Sequence, residues 1–268
     1  MTVERVVVEG VGLHTGTASR VTLVRRAGAV TLSARGVERT IAELRVASTA
    51  RALTIEVPRV GTVEHLFAAL AGLGVREGIA IEVEGCELPL LDGAASAWCD
   101  AIALLAIEWR VPALEPRLRI VRDGFVDVGQ SRYELARDNC IEVVACIEFG
   151  DARLAREASW RGDAVDFRAR IAPARTFALS RELDELLARG LASHVSAESV
   201  VVIAPDVIHA SGPAFTVDEP ARHKLLDLIG DLYLHGGPPR GRVRALRPGH
   251  AATHDFVRVA LERGLLAQ

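Results

Sequence analysis

The feature that constrains this chain most is a run both apolar and charged, Asp218-Glu-Pro-Ala-Arg-His-Lys-Leu-Leu-Asp-Leu-Ile-Gly-Asp231. Steps of four put His223, Asp227 and Asp231 on one face of an α-helix, drifting slowly around the axis. Leu225, Leu226, Leu228, Ile229 and Leu232 fall largely beside that stripe. A helix that buries apolar groups while aligning charges is not simply presenting a solvated face. An imidazole and a carboxylate one turn apart can bind one metal ion. Plain surface polarity is the competing reading of such a pair taken alone.

A second run, Thr62-Val-Glu-His-Leu-Phe-Ala-Ala-Leu-Ala-Gly-Leu-Gly74, shifts the balance. Glu64 and His65 open an almost wholly apolar helical stretch, and such a helix is mostly buried. Carboxylates and imidazoles are rarely buried without a partner or a metal. One His from the first half plus His and Asp from the second make three protein ligands. That leaves a fourth position for water, as in catalytic zinc sites. Gly72 follows His65 at the spacing at which Gly230 follows His223. The echo fits two similarly built halves, each lending a ligand-bearing helix to a shared cleft. Asp227 aligns with Ala69 in this pairing, so the site is not symmetric.

At 268 residues the chain has room for one large or two ordinary domains. Half of it is hydrophobic, enough for a substantial core. The 32 basic and 35 acidic residues leave a net charge of −3, with no basic excess pointing to nucleic acid. Cys86, Cys99, Cys140 and Cys146 form no CxxC pair and fit a reduced cytosolic protein. The N-terminus lacks a signal-peptide pattern, and Glu108 interrupts the apolar stretch Ala101 to Ile107 far short of a membrane span. A cytoplasmic monomer without stable membrane insertion is expected.

Residues 3–8 and 20–24 read as strands around a turn-rich loop, Glu9 to Gly16. A helix is expected over 63–71, ended by Gly72 and Gly74, then a strand over Ile79 to Glu84. Leu88 to Gly93 reads as a turn into a helix over Ala94 to Leu105, and Val111 to Pro116 as a linker. Strands are expected near 117–122, 131–136, 141–148, 164–169, 199–203 and 241–246. Helices are expected over 180–189, 220–234 and 250–263. The division is into an N-terminal α+β domain, 1–112, and a C-terminal one, 117–268.

Six landmarks occur in order: Gly10-Val-Gly-Leu-His-Thr-Gly16, Thr62-Val-Glu-His-Leu66, Leu88-Pro-Leu-Leu-Asp-Gly93, Ala174-Arg-Thr-Phe177, Arg222 to Asp231, and Gly249-His250. Together they resemble the zinc-dependent UDP-3-O-acyl-N-acetylglucosamine deacetylases of lipid A synthesis, through nearly the whole chain. The resemblance implies an α+β fold of two similar sheet-plus-helices domains, with helices between the sheets and the active site at their interface. It implies that His65, His223 and Asp227 bind Zn2+, that Glu64 is the general base, and that His250 completes the machinery. Fe2+ suits the same ligands. The implied partner is a UDP-amino-sugar, with or without an acyl chain, and no nucleic acid.

Amide hydrolysis needs an activated water, a stabilised oxyanion and a proton for the leaving amine. Glu64 is placed to take the water proton. Thr176 and Lys224 are candidates for the oxyanion, Lys224 also for a phosphate. His250 could serve the oxyanion or the leaving nitrogen, with Asp231 favouring its charged form. Phe177, His14 and Arg122 are candidates for substrate contact. Each has a plainer reading: Glu64 as a helix N-terminal charge, Asp231 as an arginine partner, Thr176 and Phe177 as strand residues, His14 as part of a structural glycine loop. That loop does not match a P-loop or dinucleotide fingerprint. His209, His235 and His254 receive no role.

The chain departs from the family in several places, two of which bear on the substrate, and a basic residue of the family near the nucleotide is matched only loosely by Arg122. Within Arg189-Gly-Leu-Ala-Ser-His-Val-Ser196, His194 and Val195 occupy positions where the family carries glycines, near the passage for the acyl chain. His194 is therefore a candidate substrate contact. A family Phe-x-His-Pro stretch is replaced by Glu148-Phe-Gly-Asp151. These departures keep two alternatives open: a related zinc deacetylase for another N-acetylated amino sugar with a short acyl chain or none, and a non-catalytic sugar-nucleotide or lipid-precursor sensor. The intact Glu64 and His250 argue against the sensor.

Overall fold

The computed structural model describes residues 3–49, 52–106, 116–181 and 200–268. The chain opens with two hairpins, β1 (Arg5–Val11) with β2 (Ala18–Ala29), and β3 (Thr31–Ala34) with β4 (Val37–Thr40). A small pair follows, β5 (Val46–Ser48) and β6 (Thr54–Ile55), and then helix α1 (Glu64–Gly72). Strand β7 (Glu77–Glu84) inserts between the hairpins, giving the order β1-β2-β7-β3-β4. It runs antiparallel to β2 and parallel to β3. Helix α2 (Ser96–Leu104) closes this half and packs on β1.

The second half repeats the plan. Beyond the short β8 (Arg119–Ile120) come hairpins β9 (Gly124–Val128) with β10 (Ser131–Ala136), and β11 (Ile141–Cys146) with β12 (Glu157–Trp160). A one-turn helix α3 (Ala164–Asp166) precedes an inserted sheet of β13 (Phe177–Leu179), β14 (Val201–Ile203) and β15 (Ile208–His209). Helix α4 (Glu219–Tyr233) leads to β16 (Gly241–Leu246), which inserts between β10 and β11. It is antiparallel to β10 and parallel to β11, matching the directions in the first sheet. Helix α5 (His250–Glu262) and strand β17 (Leu266–Ala267), paired to β8, complete the chain. In both halves an insertion sits between the second hairpin and the helix that carries the candidate ligands.

Alternation builds each sheet's inner face. Val21 and Leu23 of β2 oppose Val83 and Ile81 of β7, and Tyr133 and Leu135 of β10 oppose Ala245 and Val243 of β16. All eight are buried. Helices α1 and α4 pack on each other, α4 also against β11, β12 and α5, and one contiguous apolar core runs through both halves. Glycine sets how closely α1 and α4 approach. A Cβ at Gly230 would fall against the carbonyl oxygen of Glu64, and one at Gly72 against the Phe167 ring.

Local structure differs from the sequence reading in a few places. Residues 164–169 are helical, with a π-turn continuing over Phe167–Ile171. Alternation suggested a strand, but Phe167 and Ile171 are also spaced for one helical face, and both are buried. Asp163 caps the turn by accepting from the Asp166 amide at 2.6 Å, and Asp166 pairs with Arg170 one turn on. Strand β1 extends to Val11, so the glycine loop shortens to residues 12–17. Strands β3, β4, β9 and β12 had no counterpart in the reading. Most of the expected linker, and of the helix over 180–189, lies outside the described residues.

Candidate active site

The N-terminus of α1 meets the first turns of α4 side by side. His65, His223 and Asp227 each turn one ligand atom inward, all within 4.8 Å of one another, and all three are buried. The two oxygens of Asp227 divide their work. Oδ1 lies 3.5 Å from His223 Nε2 and 3.8 Å from His65 Nε2, while Oδ2 accepts from Lys224 Nζ at 2.8 Å. His223 Nδ1 sits 3.0 Å from the Ala174 carbonyl oxygen. That carbonyl can only accept, so Nδ1 carries the proton and Nε2 offers its lone pair to the cluster.

Burial, with the neighbouring His223, drives His65 down to about 3, and burial lowers His223 as well. Both imidazoles are therefore neutral, the form that binds metal. Burial works against the Asp227 charge, but the Lys224 ammonium and the His250 cation outweigh it and hold the carboxyl well below its usual range. Two neutral imidazoles and one ionised carboxylate, gathered in a dry space, suit a divalent cation.

Glu64 is buried beside His65, and its Oε2 accepts from the Leu53 amide at 3.0 Å. Burial raises its carboxyl to about 7, against the pull of the His250 charge. A carboxylate so poised can both take and return a proton near neutrality. His250 opens α5, and its Nδ1 lies 2.8 and 3.0 Å from the two oxygens of Asp231. Burial opposes an imidazolium there, yet the charge and hydrogen bond of Asp231, with Glu64 and Asp227, lift His250 to about 10. One buried centre thus holds a carboxyl near its midpoint and a histidine that is cationic.

The insertion of the second half supplies one wall. The Phe177 ring meets His223 edge-on at 6.0 Å, with Lys224 Nζ 5.7 Å from the ring centre. On its other side Phe177 meets Phe149 at 5.3 Å. Phe149, Gly150 and Asp151 line a cavity of about 250 Å³, so the departure at Glu148-Phe-Gly-Asp151 lies one aromatic contact from the centre. Thr176 donates its hydroxyl proton to the Gly93 carbonyl at 2.9 Å. In that state it presents lone pairs, and it must turn before it can donate to an oxyanion. The same bond joins the Leu88–Gly93 turn to the Ala174–Phe177 segment.

His14 is not one of the gathered ligand groups. The Glu87 carboxylate accepts from the His14 and Thr15 amides and from the hydroxyls of Thr15 and Thr62, which gives the glycine loop a structural anchor. The His14 side chain lines a cleft of about 530 Å³ with Arg35, Ala52, Arg59 and Thr62. This cleft borders the base, since Ala52 adjoins Leu53 and Thr62 lies two residues before Glu64. Arg122 is elsewhere. It donates to the Arg263 carbonyl at 2.6 Å, beyond the far end of α5. Helix α5 has 13 residues, which at ~1.5 Å rise puts Arg122 roughly 20 Å from His250. His194 lies outside the described residues.

Sequence reasoning passed over Arg175, Glu219, His235 and His254. Arg175 and Glu219 form a buried two-pronged ion pair, Nε to Oε1 at 2.7 Å and Nη2 to Oε2 at 3.0 Å. It ties the start of α4 to the segment whose Ala174 carbonyl orients His223. An acid at the first turn of a charged helix was the available signal. His235 and His254 lie behind Asp231, each four residues beyond a site residue, a spacing visible in the sequence.

The family model described as "LpxC: UDP-3-O-acyl N-acetylglycosamine deacetylase" matches residues 2–262. The chain is 34% identical over 275 residues to a "UDP-3-O-acyl-N-acetylglucosamine deacetylase" of Shewanella loihica, covering 96% of this chain and 88% of that one. A protein of the same description from Myxococcus xanthus is 34% identical over 264 residues, covering 93% and 82%. One from Shewanella woodyi is 36% identical over 209 residues, covering 76% and 67%. Among the described residues no helix is long and apolar enough to cross a membrane.

Proposed function

This chain belongs to the UDP-3-O-acyl N-acetylglycosamine deacetylase family, and on that premise we propose that it hydrolyses the acetamide of UDP-3-O-acyl-N-acetylglucosamine, releasing acetate and the free amine, the committed step of lipid A biosynthesis. The observation that carries the proposal is the buried meeting of His65, His223 and Asp227 beside Glu64 and a cationic His250. The metal we assign is Zn2+, with Fe2+ chemically acceptable to the same donors. His65 Nε2, His223 Nε2 and Asp227 Oδ1 would hold it. When bound, it supplies a Lewis acid for the amide carbonyl and makes water nucleophilic near neutral pH.

The remaining chemistry belongs to the chain's own groups. Glu64 takes the proton of the attacking water, and its raised pKa leaves it able to give that proton back. His250 keeps a positive charge beside the developing oxyanion and stands ready to protonate the departing nitrogen. Lys224 neutralises Asp227 and adds positive charge on the Phe177 side, where a phosphate would be attracted. Thr176, once turned from Gly93, adds a hydrogen bond to the oxyanion. Phe177 and the Phe149 cavity form one wall for the substrate, and the cleft at His14 the other. We assign the chain to the cytoplasm as a monomer, with its two sheet-plus-helices halves as domains.

A second reading keeps the chemistry and changes the substrate. Gly150 and Asp151 alter the cavity next to Phe177, which favours an N-acetylated amino sugar with a short acyl chain or none. Acetate release by the zinc-loaded protein, from acylated and unacylated UDP-N-acetylglucosamine side by side, separates the readings. Strict dependence on the acyl chain supports the lipid A precursor. Equal turnover supports the second reading, and no release from either overturns the lipid A precursor as substrate and leaves a different N-acetylated sugar or binding alone.

A further inference from the structure

Behind the catalytic centre, Asp231 on α4 and His235 in the turn just past its end face His250 and His254, one turn apart on α5. His250 Nδ1 takes both oxygens of Asp231. His254 Nε2 points at Asp231 Oδ1 from 3.9 Å and has no hydrogen-bond partner, though that nitrogen is buried. On its other side, His254 Nδ1 lies 2.8 Å from His235 Nε2, with the rings 5.0 Å apart.

With both imidazoles neutral, one proton arrangement suits all three contacts. If His254 carried its proton on Nδ1, a bare Nε2 lone pair would face the buried carboxylate, two electron-rich atoms opposed in a dry space. If His235 donates from Nε2 to His254 Nδ1, the His254 proton sits on Nε2 and faces Asp231. About 1 Å of travel then makes a normal hydrogen bond. The charged and titratable groups around His254 are Asp231 on α4, His235 in the turn after it, and His250 and Asp255 on α5. Glu64 on α1 acts on His250, and the Tyr133 hydroxyl from β10 holds Thr253 at 3.0 Å. Burial, with His254 adding to it, keeps His235 down at about 4, and burial lowers His254 against the pull of Asp231. Both shifts favour the neutral pair.

We propose that His254 and His235 are positioning residues of the reaction: His235 sets the His254 tautomer, and His254 acts through Asp231 to moderate how strongly His250 holds its proton. A donor on Asp231 spreads its negative charge over two partners, so His250 becomes a better proton donor than Asp231 alone would allow. The same donor fixes the plane of the carboxylate and with it the aim of the imidazolium.

The kinetic part of this inference rests on the deacetylase reading, but its direct test does not. Protein labelled with ¹⁵N-histidine reports the tautomer of His254 and the titration of His250 by NMR without substrate. The parent is expected to show His254 protonated on Nε2. In His254→Leu the His250 titration is expected to move up by roughly 0.5–1 pH unit, with the basic limb of kcat moving alike and KM little changed. Gln at 254 keeps an N–H near the place of Nε2, so His254→Gln should restore the parental titration. His235→Leu should give a smaller shift of the same sign. A His254 proton on Nδ1, or a His250 titration identical in parent and folded His254→Leu, overturns the proposal. If His254→Leu does not fold, the parental tautomer and the Gln variant decide. A protein that releases no acetate but shows the expected NMR shifts would refute the deacetylase reading alone.

Discussion

Replacing Gly230 by alanine tests how far the site depends on the closeness of two helices. In an isolated helix the change would be favourable by about 1 kcal/mol. Here the added Cβ falls inside contact distance of the Glu64 carbonyl oxygen, 3.0 Å from its carbonyl carbon and 3.2 Å from the Ala68 amide nitrogen. These are backbone atoms and cannot rotate aside. Normal contact at ~3.5–4.0 Å requires α1 and α4 to separate by on the order of 1 Å. Overpacking of this kind costs ~1–3 kcal/mol, at or above the helical gain. Net of that gain the loss is up to about 2 kcal/mol, which lowers the melting temperature of a chain near this size by up to roughly 8 °C. The same separation moves His65 away from His223 and Asp227, whereas metal–ligand distances tolerate about 0.2 Å. Gly230→Ala should therefore melt lower when metal-free and also bind zinc more weakly, by roughly tenfold or more. Thermal melts and zinc titration against a competing chelator measure both. A variant as stable as the parent, with parental zinc affinity, would refute the claim that this crossing sets the site.

Further expectations concern single groups. His65→Ala and Asp227→Ala should each lower zinc content measured by mass spectrometry after dialysis, and parental content in both would remove them from the ligand set. Glu64→Gln should cut kcat by roughly 10²–10⁴ with metal content kept, and an undiminished rate would assign the base elsewhere. Asp231→Asn removes the charge that lifts His250 to about 10. The folded pKa lies above the unfolded value of ~6.5, so this pair's stabilisation is complete below ~6.5 and lost as pH rises through about 10. Metal-free parent and Asp231→Asn should thus differ most in melting temperature at low pH within this window and converge towards its upper end. A gap that widens with pH would reverse the assignment.

Much of the site was legible because helical spacing is a local property. The placement of His223, Asp227 and Asp231 on one face needs no partner to be seen, and Glu64 and His65 on an apolar helix announce a buried polar need. The ordered landmarks carried the family. The expected strand over 164–169 is helical because Phe167 and Ile171 satisfy both alternation and helical spacing, and the Asp163 cap with the Asp166–Arg170 pair tips it to helix. Short edge strands such as β4 and β12 carry too few residues to show a period.

What the sequence determined by itself was therefore the chemistry available on each element: which residues share a face, which helices must be buried, and which charges require company. Tertiary structure decided what those charges meet. It turned Asp227 Oδ1 to the histidines and Oδ2 to Lys224, gave the His223 proton to Ala174, and turned the Thr176 hydroxyl to Gly93. It also sent Arg122 to the far end of α5 and set two unassigned histidines behind Asp231. Periodicity ends where an element ends. Distances between groups far apart along the chain follow from how closely helices and sheets approach, and at the centre that approach is set by two glycines with no side chain to hold α1 away from its neighbours.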